Sequence, residues 1–215
     1  MSSDLWFALG VSLIQTLEMI FFATFFALIL GLPIGIALFL TRTGSLAEHP
    51  WLYKNLTFIV NILRSIPFII LLVLLIPVTR ILVGTSIGTA AAIVPLSIGA
   101  APFIARIIDN ALQEVPFGLI EAGIAMGMTR SQIVLRILLP ESYVGIVNGL
   151  TLTVVTLVGY SAMAGAVGGG GLGDLAIQYG YNMFNTTLMF ITVALLVIMV
   201  QGIQFFGERL AKMRG

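Results

Sequence analysis

Cysteine is absent from the 215 residues, and charge is scarce, with Asp, Glu, Lys and Arg together making up 9% of the chain. Without cysteine there is no disulfide, no thiolate metal site and no cysteine nucleophile, and the redox compartment cannot be read. A soluble globular domain carries charge on about a quarter of its residues. A chain with 59% hydrophobic residues, 9% charged residues and a mean hydropathy of +1.12 is therefore an integral membrane protein. Ten basic against nine acidic side chains leave a net charge of +1, which gives no field to suggest a nucleic acid partner. Lysine occurs only as Lys54, before Asn55, and Lys212, before Met213, so neither completes the phosphate loop G-x-x-x-x-G-K-[ST] and the chain is not expected to hydrolyse ATP. His49, beside Pro50, is the only histidine, and with no ligand cluster in view it reads as a surface residue. Glu18 and Asp109 are the acidic residues closest to the apolar runs. No acidic or histidine chain crosses them, which argues against a proton relay. The start, Met1-Ser2-Ser3-Asp4, has no basic region and no small-residue cleavage site follows, so no signal peptide is expected to be removed.

What remains is long apolar segments. Five are of membrane-crossing length, at residues 14–40, 58–78, 90–108, 144–167 and 187–206. The first is long enough to tilt, with Gly31-Leu32-Pro33 as a potential kink, and Pro95 and Pro102 interrupt the third. These define an all-α integral membrane protein with a single transmembrane domain over residues 1–215. Cytoplasmic loops retain Lys and Arg. With the N-terminus outside and the C-terminus in the cytoplasm, Arg42, Lys54, Arg64, Arg106, Arg130, Arg136, Arg209, Lys212 and Arg214 fall on the inner side and Arg80 alone outside. Glu18 then lies near the outer end of the first span. Arg106 and Asp109 are spaced to pair on one helix face. A formal G-x-G-x-x-G at Gly168, Gly170 and Gly173 lacks the strand of a dinucleotide fold and reads as chance. Gly168-Gly169-Gly170-Gly171 instead suggests a flexible or tightly packed turn on the outer side.

Residues 109–143 form a connector long for a chain with no further domain, and it faces the cytoplasm in this orientation. Pro116 is placed to open a short helix in its first turn, and Gly127 to end it in the left-handed conformation. Thr129 and Gln132 have the spacing of a capping box. Ile133, Val134, Ile137 and Leu138 then repeat at helical spacing, with Pro140 as the stop. Two short helices in an L are the expectation, and an ordinary amphipathic connector on the membrane surface is the alternative.

On the fourth span, Gly149, Thr153, Thr156, Gly159, Tyr160 and Met163 share roughly one face. That face suits a close-packed helix interface or the wall of a solute path, and Met163 suits a flexible apolar plug or a mere gap filler. Five spans make a thin wall for a hydrophilic path, so a second copy related by a two-fold axis is expected.

Inside the connector, Glu121-Ala122-Gly123, then Gly127 after three residues, then Ile137-Leu138-Leu139-Pro140 after nine, resembles the cytoplasmic loop by which membrane subunits of ATP-binding-cassette (ABC) importers dock onto their ATPases. The family more often has Ala where Gly123 stands. Four further stretches resemble the methionine-importer branch of these permeases: Arg64-Ser65-Ile66-Pro67-Phe68-Ile69-Ile70, Gly84-Thr85-Ser86-Ile87-Gly88, Ala100-Ala101-Pro102-Phe103-Ile104-Ala105-Arg106 and Thr156-Leu157-Val158-Gly159-Tyr160-Ser161-Ala162-Met163. The resemblance implies the type I importer permease fold in a bacterial inner membrane, as a homodimer with two ATPase subunits that bind ATP and Mg. An extracytoplasmic methionine-binding lipoprotein completes the implied assembly. It implies no cofactor and no catalysis in this chain. Glu121, Ala122, Gly123, Gly127, Ile137, Leu139 and Pro140 carry over as ATPase-coupling residues, and Met163, with Tyr160, Thr156 and Gly159, as gate and pathway. The implied cargo is methionine, of open stereochemical range. The rivals are another small amino acid or related solute and, in a different class, a self-contained channel or ion-coupled carrier.

Overall fold

The computed structural model describes residues 3–213, so Met1, Ser2, Arg214 and Gly215 lie outside it. Among the described residues all regular structure is helical. Helix α1 spans Ser3–Thr41, and α5, at Thr89–Gln113, crosses against it. Their contact is made of small residues. Ala23 and Ala27 have no exposed surface, and Gly31 and Gly35 continue the same stripe at four-residue intervals. A Cβ on Gly31 would sit 2.7 Å from Ala101 O, and one on Gly35 would sit 2.6 Å from both Ala105 O and Ile108 Cβ. Backbones approach this closely only through small residues facing one another, here Gly31 and Gly35 against Ala101 and Ala105. Leu96, Ile104, Ile108 and Leu112 of α5 are fully buried around this contact and form the centre of the core.

The start of α1 corrects the span expected from residue 14. The helix begins eleven residues earlier because Leu9 is buried against Leu172, Leu175 and Leu188, partners remote in sequence. Glu18 is consequently not near the end of its helix but about four turns inside it, on an exposed face. The helix also runs unbroken through Pro33.

The span expected at 58–78 is not one helix. Helix α2, Pro50–Ser65, and α3, Phe68–Leu74, meet at a bend of 102°. Pro67 causes it, because its ring pushes the preceding residue out of the helical region, and Ile66 is extended at φ −80°, ψ 124°. Helix α4, Ile76–Val83, follows and ends at Gly84 in the left-handed conformation, φ 81°. His49 is exposed and caps α2, its Nδ1 accepting the Leu52 N–H at 3.2 Å.

After α5 come α6, Phe117–Ala125, and α7, Arg130–Ile133, which continues through a wide turn at Val134–Leu138 into α8, Leu139–Glu141. Helix α9, Tyr143–Ala164, gives way to a second wide turn at Gly165–Gly169. Helix α10, Gly171–Leu175, a third wide-turn segment, Ala176–Asn182, and α11, Thr186–Lys212, complete the described elements. The glycine run is the tightly packed version of the expected turn. Gly170 and Gly171 have φ of 77° and 81°, and a Cβ on Gly171 would lie 2.7 Å from both Met19 Cε and Thr16 Oγ1. Gln15 Oε1 and Thr16 Oγ1 each accept a backbone N–H, from Gly171 and Leu172 respectively, at 2.9 Å. The segment from Gly171 to Asn182 is helical although it is too short and polar to register as a span in the sequence.

Among the described residues four helices are long and apolar enough to cross a membrane, beginning at Leu5, Thr89, Tyr143 and Thr186, and the bent α2–α3 pair passes the same test as a unit.

Candidate functional site

The connector folds as a wedge locked to the core. Thr129 and Gln132 form the capping box, with the Thr129 N–H donating to Gln132 Oε1 at 2.8 Å and the Gln132 N–H to Thr129 Oγ1 at 3.4 Å. Gly127 ends α6 at φ 72°, where the Met128 N–H reaches back to Gly123 O at 3.0 Å. Ile120, Ile133, Val134 and Leu138 are buried in the core cluster that contains Leu112 and Val115. Burial of one such side chain contributes about 1.5–3 kcal/mol, so the wedge is fixed to the end of α5 rather than hung on a hinge.

Two expectations are corrected here. Pro116 precedes α6 as its N-cap instead of opening its first turn. Pro140 does not stop the second helix: in the wide turn ahead of it the Leu139 N–H bonds Val134 O, and Pro140 then enters the first turn of α8, where no N–H is needed.

The seven residues singled out in the connector divide by exposure. Glu121, Ala122, Gly127 and Pro140 are exposed, and Ile137 and Leu139 are half-buried. Gly123 faces inward: its missing Cβ would sit 2.8 Å from Ile137 Cδ1 and 3.4 Å from Ile133 Cγ1, so it lets the two helices of the wedge touch. The outer face, Glu121 and Ala122 with Phe117, Ile124 and Met126, presents exposed apolar side chains and one carboxylate.

The face of α9 also divides. Gly149 and Thr153 turn inward, Gly149 against Ile107 of α5. Thr156, Gly159 and Met163 are exposed along with Leu152, and no atom lies within 4 Å of a Cβ built on Gly159. The expected single face is therefore two, because α5 covers one side of α9 and leaves the other bare. Tyr160 stands between them, stacked on Phe68 of α3 with ring centroids 4.3 Å apart and planes 3° from parallel. Thr156 and Tyr160 line a cavity of about 260 Å³ between α2, α5 and α9, together with Arg64, Phe103, Arg106 and Asn110. Met163 and Gly159 continue the bare face of α9 beyond this cavity without lining it.

Beside the cavity lies a polar chain that the sequence shows only in part. The expected Arg106–Asp109 pair is present at 3.0 Å, with Asp109 fully buried. Arg106 Nη2 also donates to Asn61 Oδ1 at 2.9 Å, Gln113 Nε2 donates to Asp109 Oδ1 at 2.9 Å, and Arg42 donates to Gln113 Oε1. The ends of α1, α2 and α5 are thereby tied together next to the wedge. Removing one member of a buried ion pair costs about 3–5 kcal/mol. Arg106 keeps 20% side-chain exposure, so Asp109→Ala is expected near the lower end, about 3 kcal/mol. Thermal melting of the purified protein checks this, and Arg106→Met with Asp109→Leu should melt higher than Asp109→Ala alone.

Arg64, Phe103, Arg106 and Asn110 join the site only once the chain is folded. The available signal was the rarity of a charge beside apolar spans, visible at Arg64 and Arg106. The fold was needed to place both on one cavity.

Residues 31–211 match the family described as the binding-protein-dependent transport system inner membrane component. The chain is 51% identical over 212 residues to the probable D-methionine transport system permease protein MetI of Vibrio cholerae serotype O1, covering 96% of this chain and 94% of that protein. It is 56% identical over 165 residues to the D-methionine transport system permease protein MetI of Escherichia coli K12, covering 77% of this chain and 76% of that protein. Among solved structures, a chain of the MetNI methionine ABC transporter in an inward-facing conformation superimposes with a TM-score of 0.98 at 54% identity, covering 100% of both chains. An amino acid ABC transporter shares the fold at 21% identity and a TM-score of 0.76, covering 96% of this chain and 94% of that one. The all-helical type I permease fold expected from the resemblance is the one these structures share. The chain belongs to the family of binding-protein-dependent transport system inner membrane components, multi-pass membrane permease subunits that are not themselves catalytic.

Proposed function

We propose that this chain is the membrane permease of an ATP-driven methionine importer, working as a homodimer with two ATPase subunits and a methionine-binding lipoprotein. The observation that carries this is the similarity, over the full length of both chains, to the permease of the MetNI methionine ABC transporter. The residues form one transmembrane domain over 1–215 with five crossings, the bent α2–α3 pair being one of them. The N-terminus is outside and the C-terminus in the cytoplasm, an orientation supported by the distribution of Lys and Arg.

In this orientation the outer face of the wedge, with Glu121, Ala122 and Gly127, meets a groove on the ATPase. Ile137, Leu139 and Pro140 hold the second arm of the wedge in register, and Gly123 joins the two arms. When ATP draws the ATPases together, the wedges move inward and the anchored ends of α5 and α9 follow. The bare face of α9, with Thr156, Gly159, Tyr160 and Met163, lies on the solute path between the two copies, and Met163 closes it. The driving energy is the ATPases' preference for one arrangement of the wedges over the other.

The cargo is tested by competition. Uptake of labelled L-methionine into vesicles should be inhibited by unlabelled L-methionine, and by D-methionine if the range matches that named for the relatives. Uptake indifferent to both would overturn methionine as the cargo.

A further inference from the structure

The cavity between α2, α5 and α9 has a charge balance that the proposed lever motion does not use. Two guanidinium groups reach it. That of Arg106 is neutralised by Asp109 at 3.0 Å and hydrogen-bonded to Asn61. That of Arg64 has no carboxylate within 4.0 Å among the described residues. It lies instead over the Phe103 ring, 5.0 Å from the centroid. This contact holds the cation by one face and leaves the N–H edge of the guanidinium, the edge that matches a carboxylate, unused. Arg64 is also in the last turn of α2, directly before the 102° bend, so its backbone is held at a fixed point.

The rest of the lining complements that cation. Thr153 and Thr156 spend their hydroxyl protons on Gly149 O, at 3.0 Å, and Leu152 O, at 2.9 Å. Their oxygens retain only lone pairs and act as acceptors. Ile107 and Leu157 supply an apolar wall. A single uncompensated cation, acceptor oxygens and an apolar wall in about 260 Å³ are complementary to a small zwitterion with an apolar side chain.

We propose that Arg64 receives the carboxylate of the amino acid as it passes through this chain, which makes it a specificity-determining residue of the permease. This rests on the cargo being an amino acid, and not on its being methionine.

The test uses the full complex of permease, ATPase and binding protein in proteoliposomes, as wild type, Arg64→Gln and Arg64→Lys. Initial uptake of labelled L-methionine and of a panel of other labelled amino acids is read alongside ATPase stimulation by loaded binding protein. Loss of a charge-assisted hydrogen bond to the carboxylate should lower uptake about tenfold in Arg64→Gln. ATPase stimulation should persist, and Arg64→Lys should recover part of the uptake. Equal uptake by Arg64→Gln and wild type would overturn the assignment, as would joint loss of uptake and ATPase stimulation, which marks a structural role. An anionic lipid phosphate is the other source of a partner for this cation. A defect present in vesicles containing phosphatidylglycerol and absent in pure phosphatidylcholine would give Arg64 to the lipid and overturn the proposal. If wild type moves another amino acid and not methionine, the cargo reading falls, and the Arg64→Gln comparison on that amino acid decides Arg64 separately.

Discussion

Gly35→Val is expected to disrupt the bundle, leaving the chain aggregated on size-exclusion chromatography after detergent extraction, whereas Gly10→Ala behaves as wild type. The contrast lies in the surroundings. A Cβ on Gly10 meets nothing within 4 Å, while one on Gly35 meets Ala105 O and Ile108 Cβ at 2.6 Å. Neither of those atoms is the end of a flexible side chain, so relief requires α1 and α5 to separate. Overpacking a tight site costs about 1–3 kcal/mol, occasionally more, and a backbone oxygen as the obstacle puts Gly35→Val at or above the top of that range. Separation would also loosen the fully buried Ile104, Ile108 and Leu112, since these pack in the same cluster as Ala23 and Ala27. Gly35→Ala should lower the melting temperature without abolishing it. A Gly35→Val protein that melts with wild type would show that the α1–α5 contact does not hold the fold.

Ala122→Trp is expected to uncouple the transporter while leaving the permease folded. Ala122 is exposed on α6, so the indole adds bulk only to the outer face of the wedge. Gly123, one residue on, is the contrasting position, because a side chain there pushes on Ile137 and Ile133 inside the wedge. A partner that fits this face closely has no space for an indole, and interfaces lose their affinity at a few well-packed central positions. We expect Ala122→Trp to lower ATPase copurification by about a hundredfold, equivalent to about 2.7 kcal/mol, with an unchanged melting temperature for the isolated permease. Gly123→Val should lower both. Copurification of Ala122→Trp at the wild-type level would remove the wedge face from the ATPase contact.

What was legible in the sequence were features set by local chemistry. The capping box of Thr129 and Gln132, the left-handed Gly127 and the Arg106–Asp109 pair each depend on residues within one turn, and each is present. Hydropathy placed the cores of α5, α9 and α11 but was blind to direction. Residues 58–78 read as one apolar run, although Pro67 turns the chain through 102°. The early start of α1 depends on Leu9 meeting Leu172 and Leu188, and no local signal records a contact across such a distance. The division of α9 has the same origin: Thr153 and Thr156 are equivalent by spacing and differ only because α5 covers one of them. Gly31 and Gly35 did carry a readable signal, small residues four apart in an apolar helix, but their partner helix was not identifiable without the fold. That the two cavity cations converge was hidden similarly: even Asn61 and Arg106, which share a hydrogen bond, are 45 residues apart.

If this chain provides a path whose motion is driven by another protein, transport must depend on that protein. This dependence is tested most directly by measuring labelled methionine uptake into proteoliposomes that contain the permease alone, the permease with its ATPase, and both with loaded binding protein, each with and without ATP and Mg. Uptake is expected only when all the components and ATP are present, and it should be lost with Ala122→Trp. Sustained accumulation of methionine by the permease alone, unaffected by ATP, would contradict the account.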